Sequence, residues 1–215
     1  MVENQIKVPM KDLQGYMTEA DVISFFGVLK GLRDQLLFRL LYKTGRRVSE
    51  IISLKVNDID WNLGMINYHI LKKKDRDYRA MKPIDTITLR RMREYIEDKK
   101  LEKDDYLFMA EKRKTINNKG QSSMIICPHL SRKTVFWLMR KYCKKAGIGK
   151  IGHKMPHPHH WRHTFAVRMA QKMQTPAHVR KLQKLMEHAN LGITETYLQF
   201  NQEDMRELVE MDDII

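Results

Sequence analysis

The chain of 215 residues is 42% hydrophobic and 31% charged, enough for one substantial core and a small appendage. No apolar run approaches the roughly eighteen residues that span a bilayer, and the start, MVENQIKVPM, lacks a secretory segment, so a membrane protein is disfavoured and an intracellular, cytoplasmic location is expected. Forty Lys and Arg against 26 Asp and Glu give a formal charge of +14, which calls for a polyanionic partner, with nucleic acid foremost, because neutralised phosphates release counterions.

Thr18-Glu19-Ala20-Asp21 resembles a capping box with Asp in the place of Glu or Gln, and it opens an apolar stretch through Leu29 that reads as helix. Leu32, Leu36, Leu37, Leu40 and Leu41 then recur at helical spacing, and Gly45 is placed to end this second helix in a left-handed conformation. Arg46 and Arg47 follow at a turn, and Val48 to Leu54 reads as a further short helix.

Asp58 to Trp61, Met65 to Leu71 and Arg79 to Ile84 read as three strands. The first two are joined through Asn62-Leu63-Gly64, the last two across a very basic connection that includes Lys72, Lys73 and Lys74. Asp85 or Thr86 can cap a helix running to about Lys99.

Residues Glu111 to Pro128 show no apolar period and are expected to form a mobile loop, or more plainly a solvated surface insertion. Helices are expected again over Lys133 to Lys145 and His160 to Met173, and from Thr175 with Pro176 at its first position. A short helix capped by Thr194 would carry Tyr197, and an acidic amphipathic helix begins near Asn201. From Glu203 to Asp213 the tail carries −5, which leaves +19 on the rest of the chain. Cys127 and Cys143 match neither a redox nor a zinc pattern.

Three segments carry candidate chemistry. They are TGRRVSE (Thr44 to Glu50), PHHWRH (Pro158 to His163) and LMEH (Leu185 to His188), the last followed nine residues on by Tyr197. Each has a plainer use when taken alone. Arg47 can pair with Glu50, Tyr197 can pack half-buried, and His188 can cap a helix. In this order and at this spacing the segments resemble the tyrosine recombinase, or phage integrase, family from about Thr18 to the C-terminus.

The resemblance implies an α+β fold, mainly helical, in which a tyrosine recombinase catalytic domain carries a small three-stranded antiparallel sheet. Arg47 and Arg162 match the family's catalytic arginines, His159 and His188 its histidines, and Tyr197 its nucleophile. The catalytic lysine belongs in the turn after the second strand, where Lys72 is preferred and Lys73 and Lys74 are also candidates. The implied activity is site-specific recombination of double-stranded DNA through a 3′-phosphotyrosyl intermediate, without metal, ATP or other cofactor, by a homo-tetramer assembled on DNA. A type IB topoisomerase and a non-catalytic DNA-binding module are the alternatives.

The chemistry suits these residues. Two guanidinium forks can stabilise the charge that develops on non-bridging phosphate oxygens. A tyrosine with an ordinary pKa of about 10 needs a proton acceptor, which His159 can supply, and a lysine can protonate the departing 5′ oxygen.

The organisation implied is an N-terminal extension or linker over 1–17, the catalytic domain over 18–200, and an acidic helix over 201–215 that docks on a neighbouring protomer or folds back. The chain is then a catalytic domain, natural or excised. Two departures stand out: Glu187 precedes His188 where the family usually has Gly, and the basic turn is longer than usual. His153, His157, His159, His160 and His163 invite a zinc reading, but no Cys or carboxylate accompanies them. Phe136, Trp137 and Tyr142 among Arg140, Lys141, Lys144 and Lys145 suggest a helix with its aromatics in the core and its cations toward phosphates.

Overall fold

Thr18 caps the first helix, α1 (Glu19–Gly27), as its sequence predicts. Its hydroxyl accepts the Asp21 N–H at 3.2 Å, and the Asp21 carboxylate accepts the Thr18 N–H at 3.0 Å. The computed structural model describes residues 15–70, 78–110, 113–116, 122–125 and 128–171. The helix stops at Gly27, two residues short of Leu29.

α2 (Leu32–Thr44) is the central element, with every side chain from Leu36 to Thr44 buried. Such a helix must satisfy its polar groups internally. Arg39 donates to Thr88 at 2.7 Å and to Asp85 at 3.1 Å, and Asp34 accepts the Tyr142 hydroxyl at 2.7 Å. Gly45 closes α2 in the left-handed region, φ 59°, donating to the Leu41 carbonyl at 3.1 Å.

α3 (Val48–Ile52) is shorter than the expected Val48 to Leu54, because a 3₁₀ turn (Val56–Asp58) intervenes before the sheet. The sheet itself is as expected, three antiparallel strands in the order β1 (Ile59–Asp60), β2 (Met65–His69) and β3 (Arg79–Pro83). The first strand is clipped because the Asp60 carboxylate accepts the N–H groups of Asn62 and Leu63 at 3.0 and 2.9 Å, which turns the chain. His69 pairs with Arg79 at the far end of the ladder, and residues 71–77 lie outside the described residues. Asp85, rather than Thr86, caps α4 (Thr86–Lys99) by accepting the Thr88 N–H at 2.9 Å.

The expected loop over Glu111 to Pro128 requires correction. β4 (Arg113–Ile116) and β5 (Ser122–Ile125) pair there as an antiparallel ribbon, Arg113 opposite Ile125 and Ile116 opposite Ser122. A ribbon joined through its backbone needs no alternating apolar face, and RKTI and SSMI offer none to read.

α5 (Arg132–Lys145), capped by Ser131, and α6 (His159–Gln171) complete the described elements. α6 packs against α2, and α5 against α1 and α3. Trp161 is wholly buried, its ring 5.0 Å from Phe25 and 5.8 Å from Tyr42, each edge to face. That packing fixes the start of α6 against α1 and α2. The helices expected from Thr175, around Tyr197 and from Asn201 lie outside the described residues. Among the described residues no helix is long and apolar enough to cross a membrane.

Candidate active site

Arg47 sits at the N-cap of α3, where its backbone is extended. Its N–H donates to Glu50 Oε2 at 3.2 Å and its Nη1 to Glu50 Oε1 at 2.8 Å. The plain pairing open from the sequence is therefore present, but it is not a surface pair. Glu50 is fully buried, while the Arg47 side chain keeps 22% exposure. One carboxylate orients the guanidinium and leaves part of its edge facing outward. The buried Arg46 lies 3.9 Å from the same carboxylate, with its guanidinium 4.9 Å from the Tyr68 ring centre.

Arg162 comes from α6 and is buried, donating from Nη1 to the Gly45 carbonyl at 2.8 Å. That bond ties the second arginine to the turn carrying the first across 117 positions of sequence. His159, one helical turn before Arg162, is exposed.

His159 is pushed down to about 4, first by loss of hydration and then by the charges of His163, Arg162, His157 and Arg47. That both arginines act on one imidazole brings Arg47, His159 and Arg162 into a single electrostatic neighbourhood. The imidazole is neutral at pH 7 and can accept a proton.

The neighbouring histidines form two pairs. His159 meets His163 edge to face at 4.7 Å, and His157 stacks on His160 at 3.8 Å. The His157 N–H donates to His160 Nδ1 at 3.2 Å, which needs that nitrogen unprotonated. His160 is buried and pushed down to about 3, chiefly by burial, and His157 and His163 are lowered for the same leading reason. Among the described residues no three His, Cys, Asp or Glu side chains are grouped to hold a metal ion.

Lys72, with Lys73 and Lys74, and also His188 and Tyr197 lie outside the described residues. Three features of the site went unread in the sequence. In the sequence Glu50 reads as a simple ion-pair partner, Gly45 as a helix stop, and His163 as part of a motif. A Glu three residues after an N-cap was the available signal for Glu50, since that spacing returns a carboxylate to the cap.

The α5 surface is split partly as expected. Tyr142 is buried, and Arg140, Lys141, Lys144 and Lys145 are exposed. Trp137 does not join the core. It is 59% exposed with Lys141 Nζ 4.9 Å from its ring centre, because it falls on the solvent side of a helix whose buried stripe is Val135, Leu138, Met139, Tyr142 and Cys143.

A model of the phage integrase family matches residues 15–204. The tyrosine recombinase XerA of Pyrococcus horikoshii is 33% identical over 204 residues, 95% of this chain and 63% of that protein. The tyrosine recombinase XerC of Staphylococcus epidermidis is 31% identical over 183 residues, 83% of this chain and 53% of that protein. This chain thus spans less than two thirds of the length of those relatives.

Solved structures share the fold. An integrase from mycobacterium phage Brujita aligns with a TM-score of 0.64 at 18% identity, over 92% of this chain and 57% of that one. A XerA recombinase aligns at 0.62 and 23% identity, over 90% and 61%. The XerH recombinase bound to its difH substrate before cleavage aligns at 0.59 and 20% identity, over 82% and 47%.

Proposed function

Because this chain belongs to the phage integrase family, the tyrosine recombinases, we propose that it cleaves and rejoins double-stranded DNA at specific sites through a 3′-phosphotyrosyl intermediate. The observation that carries this reading is the convergence of Arg47 and Arg162, from distant segments, around a neutral His159. Two guanidiniums suit a phosphate that gains charge during in-line displacement, and Arg47 keeps part of its side chain exposed. Tyr197 is the nucleophile in this reading, and His159 accepts its proton. Lys72 protonates the departing 5′ oxygen, and His188 assists at the phosphate. The phosphotyrosyl bond keeps the energy of the broken phosphodiester, so a 5′ hydroxyl from another strand can reseal it without ATP or metal.

The active form on DNA is proposed to be a tetramer on two duplexes, in the cytoplasm. Residues 201–215 are proposed to dock on a neighbouring protomer, since Met205, Leu208 and Val209 would give an acidic helix an apolar face that needs a groove.

Incubation with duplexes nicked near the scissile position tests the reading, because the short fragment diffuses away and traps the covalent complex. A phosphotyrosyl peptide mapped to Tyr197 is the expected product, and Tyr197→Phe is expected to give none. Attachment through another residue would overturn the nucleophile assignment.

A further inference from the structure

We propose that Gly45 and Phe165 are a pair of positioning residues that set the separation of the Arg47 and Arg162 guanidiniums. The inference rests on reading those two arginines as a phosphate clamp. It assigns a role to a glycine and a phenylalanine that do not touch the phosphate.

The clamp is assembled from two segments that share no strand or helix. On one side Arg47 is fixed by the buried Glu50 and follows Gly45 by two residues. On the other, Arg162 is fixed by its 2.8 Å bond to the Gly45 carbonyl. Both arginines are therefore referenced to one peptide unit. A backbone carbonyl has no rotamer to adjust, so the bond transmits the placement of the turn directly to the guanidinium. A planar guanidinium fork held in this way can present a fixed donor geometry to a phosphate.

The same peptide unit admits no side chain. Gly45 stands at φ 59°, where a Cβ is disfavoured, and its neighbour across the α2–α6 contact is Phe165. A Cβ at position 45 would overlap Phe165 Cδ1 and lie only 2.8 Å from its Cγ and 3.1 Å from its Cβ. Cβ moves only with the helix backbone, and the χ1 rotation that would move Cγ has to carry a fully buried ring into its packed neighbours. Relief requires the start of α6 to move away from α2. Arg162, three residues earlier on α6, moves with it. The contact that excludes the methyl group thus also gauges the clamp, and displacements well below 1 Å matter for in-line chemistry.

The test uses this chain and a nicked duplex whose sequence is first recovered by covalent capture from a randomised duplex library. Adduct formation is followed in a single turnover at saturating DNA. Duplex affinity and the melting curve are measured alongside, and rates are normalised to folded protein. Gly45→Ala is expected to slow adduct formation by about tenfold or more while affinity stays within roughly threefold. Phe165→Ala alone should melt lower and slow adduct formation, but by less than Gly45→Ala, since it loosens the α2–α6 contact while Gly45 and its carbonyl remain. The double variant, which removes the two nearest clashing atoms, is expected to recover much of the rate lost in Gly45→Ala.

Should Gly45→Ala not fold, a folded double variant reacting like Phe165→Ala supports the proposal. A double variant that stays unfolded, or reacts no faster than Gly45→Ala, overturns it. So does a Gly45→Ala protein that reacts at the parental rate, or one whose affinity and rate fall together. A parent that forms no adduct on any captured or random duplex overturns the enzymatic reading itself, an outcome distinct from a reactive parent with an equally reactive Gly45→Ala.

Discussion

The buried carboxylate of Glu50 holds both ends of Arg47, accepting its backbone N–H at 3.2 Å and its guanidinium at 2.8 Å. Removing that charge takes away the carboxylate that both the Arg46 and Arg47 guanidiniums approach. Breaking a buried pair on one side costs about 3 kcal/mol or more. Glu50→Gln is expected to lower the melting temperature by roughly 6–12 °C for a chain of this size, read by circular dichroism. A shift of a degree or two would mean that the carboxylate is not needed to compensate the turn.

Arg47→Lys and Arg162→Lys keep the charge and lose the fork, so each is expected to slow covalent adduct formation by about a hundredfold or more with little change in duplex affinity. Their stabilities should separate. Arg162 is buried and bonded to the Gly45 carbonyl, whereas Arg47 keeps 22% side-chain exposure, so Arg162→Lys should melt several degrees below Arg47→Lys. Equal losses of affinity and rate would reduce both residues to backbone contacts.

The sequence exposed those parts of the fold whose signals are local. The Thr18 capping box, the Gly45 helix stop and the individual strands of the sheet each rest on residues within a few positions of one another. The β4–β5 ribbon was invisible because its pairing is backbone to backbone between polar strands. The site was legible as an ordered set of residue types, but not as geometry. Nothing in TGRRVSE says that the Gly45 carbonyl will receive Arg162 from 117 positions away, or that Phe165 will occupy the space a side chain at 45 would need. Trp137 misled for a related reason, since an aromatic residue on a helix reads as core until the helix phase is known.

Along α5 the side chains of Arg132, Lys133, Arg140, Lys141, Lys144 and Lys145 are exposed, a basic face that also carries Trp137. Phosphate contacts by that face would make binding steeply salt-dependent. Lys141→Ala is expected to weaken duplex binding uniformly across sequences and to reduce the slope of log affinity against log salt by about 1. Because the side chain is exposed, the melting temperature should hardly move. An unchanged salt slope in fluorescence anisotropy titrations would place the DNA on another surface.

The last prediction follows from the histidines at the start of α6. His159 and His160 are pushed down to about 4 and about 3, in both cases chiefly by burial, from an ordinary value of 6.5. In the unfolded chain they take up protons as pH falls through 6.5, while in the folded chain they do so only near those lower values. The unfolded state therefore binds more protons across that window, and stability rises with pH there, by up to about 1.4 kcal/mol per pH unit for the buried His160 and by much less for the exposed, solvent-screened His159. The stability these groups contribute is fully present above about pH 7 and is lost as pH falls through 6 and 5 toward 4. His160→Asn keeps an acceptor for the His157 N–H and removes one titration, so it should flatten the fall in melting temperature between pH 6.5 and 4. DNA acts in the opposite direction. A phosphate seated between Arg47 and Arg162 supplies a negative charge beside His159 and raises its proton affinity. Duplex binding near pH 6 should then be accompanied by net proton uptake, seen as a dependence of the calorimetric binding heat on the ionisation heat of the buffer, and uptake should diminish in His159→Gln. Binding heats that are independent of buffer would show that His159 does not face the bound phosphate.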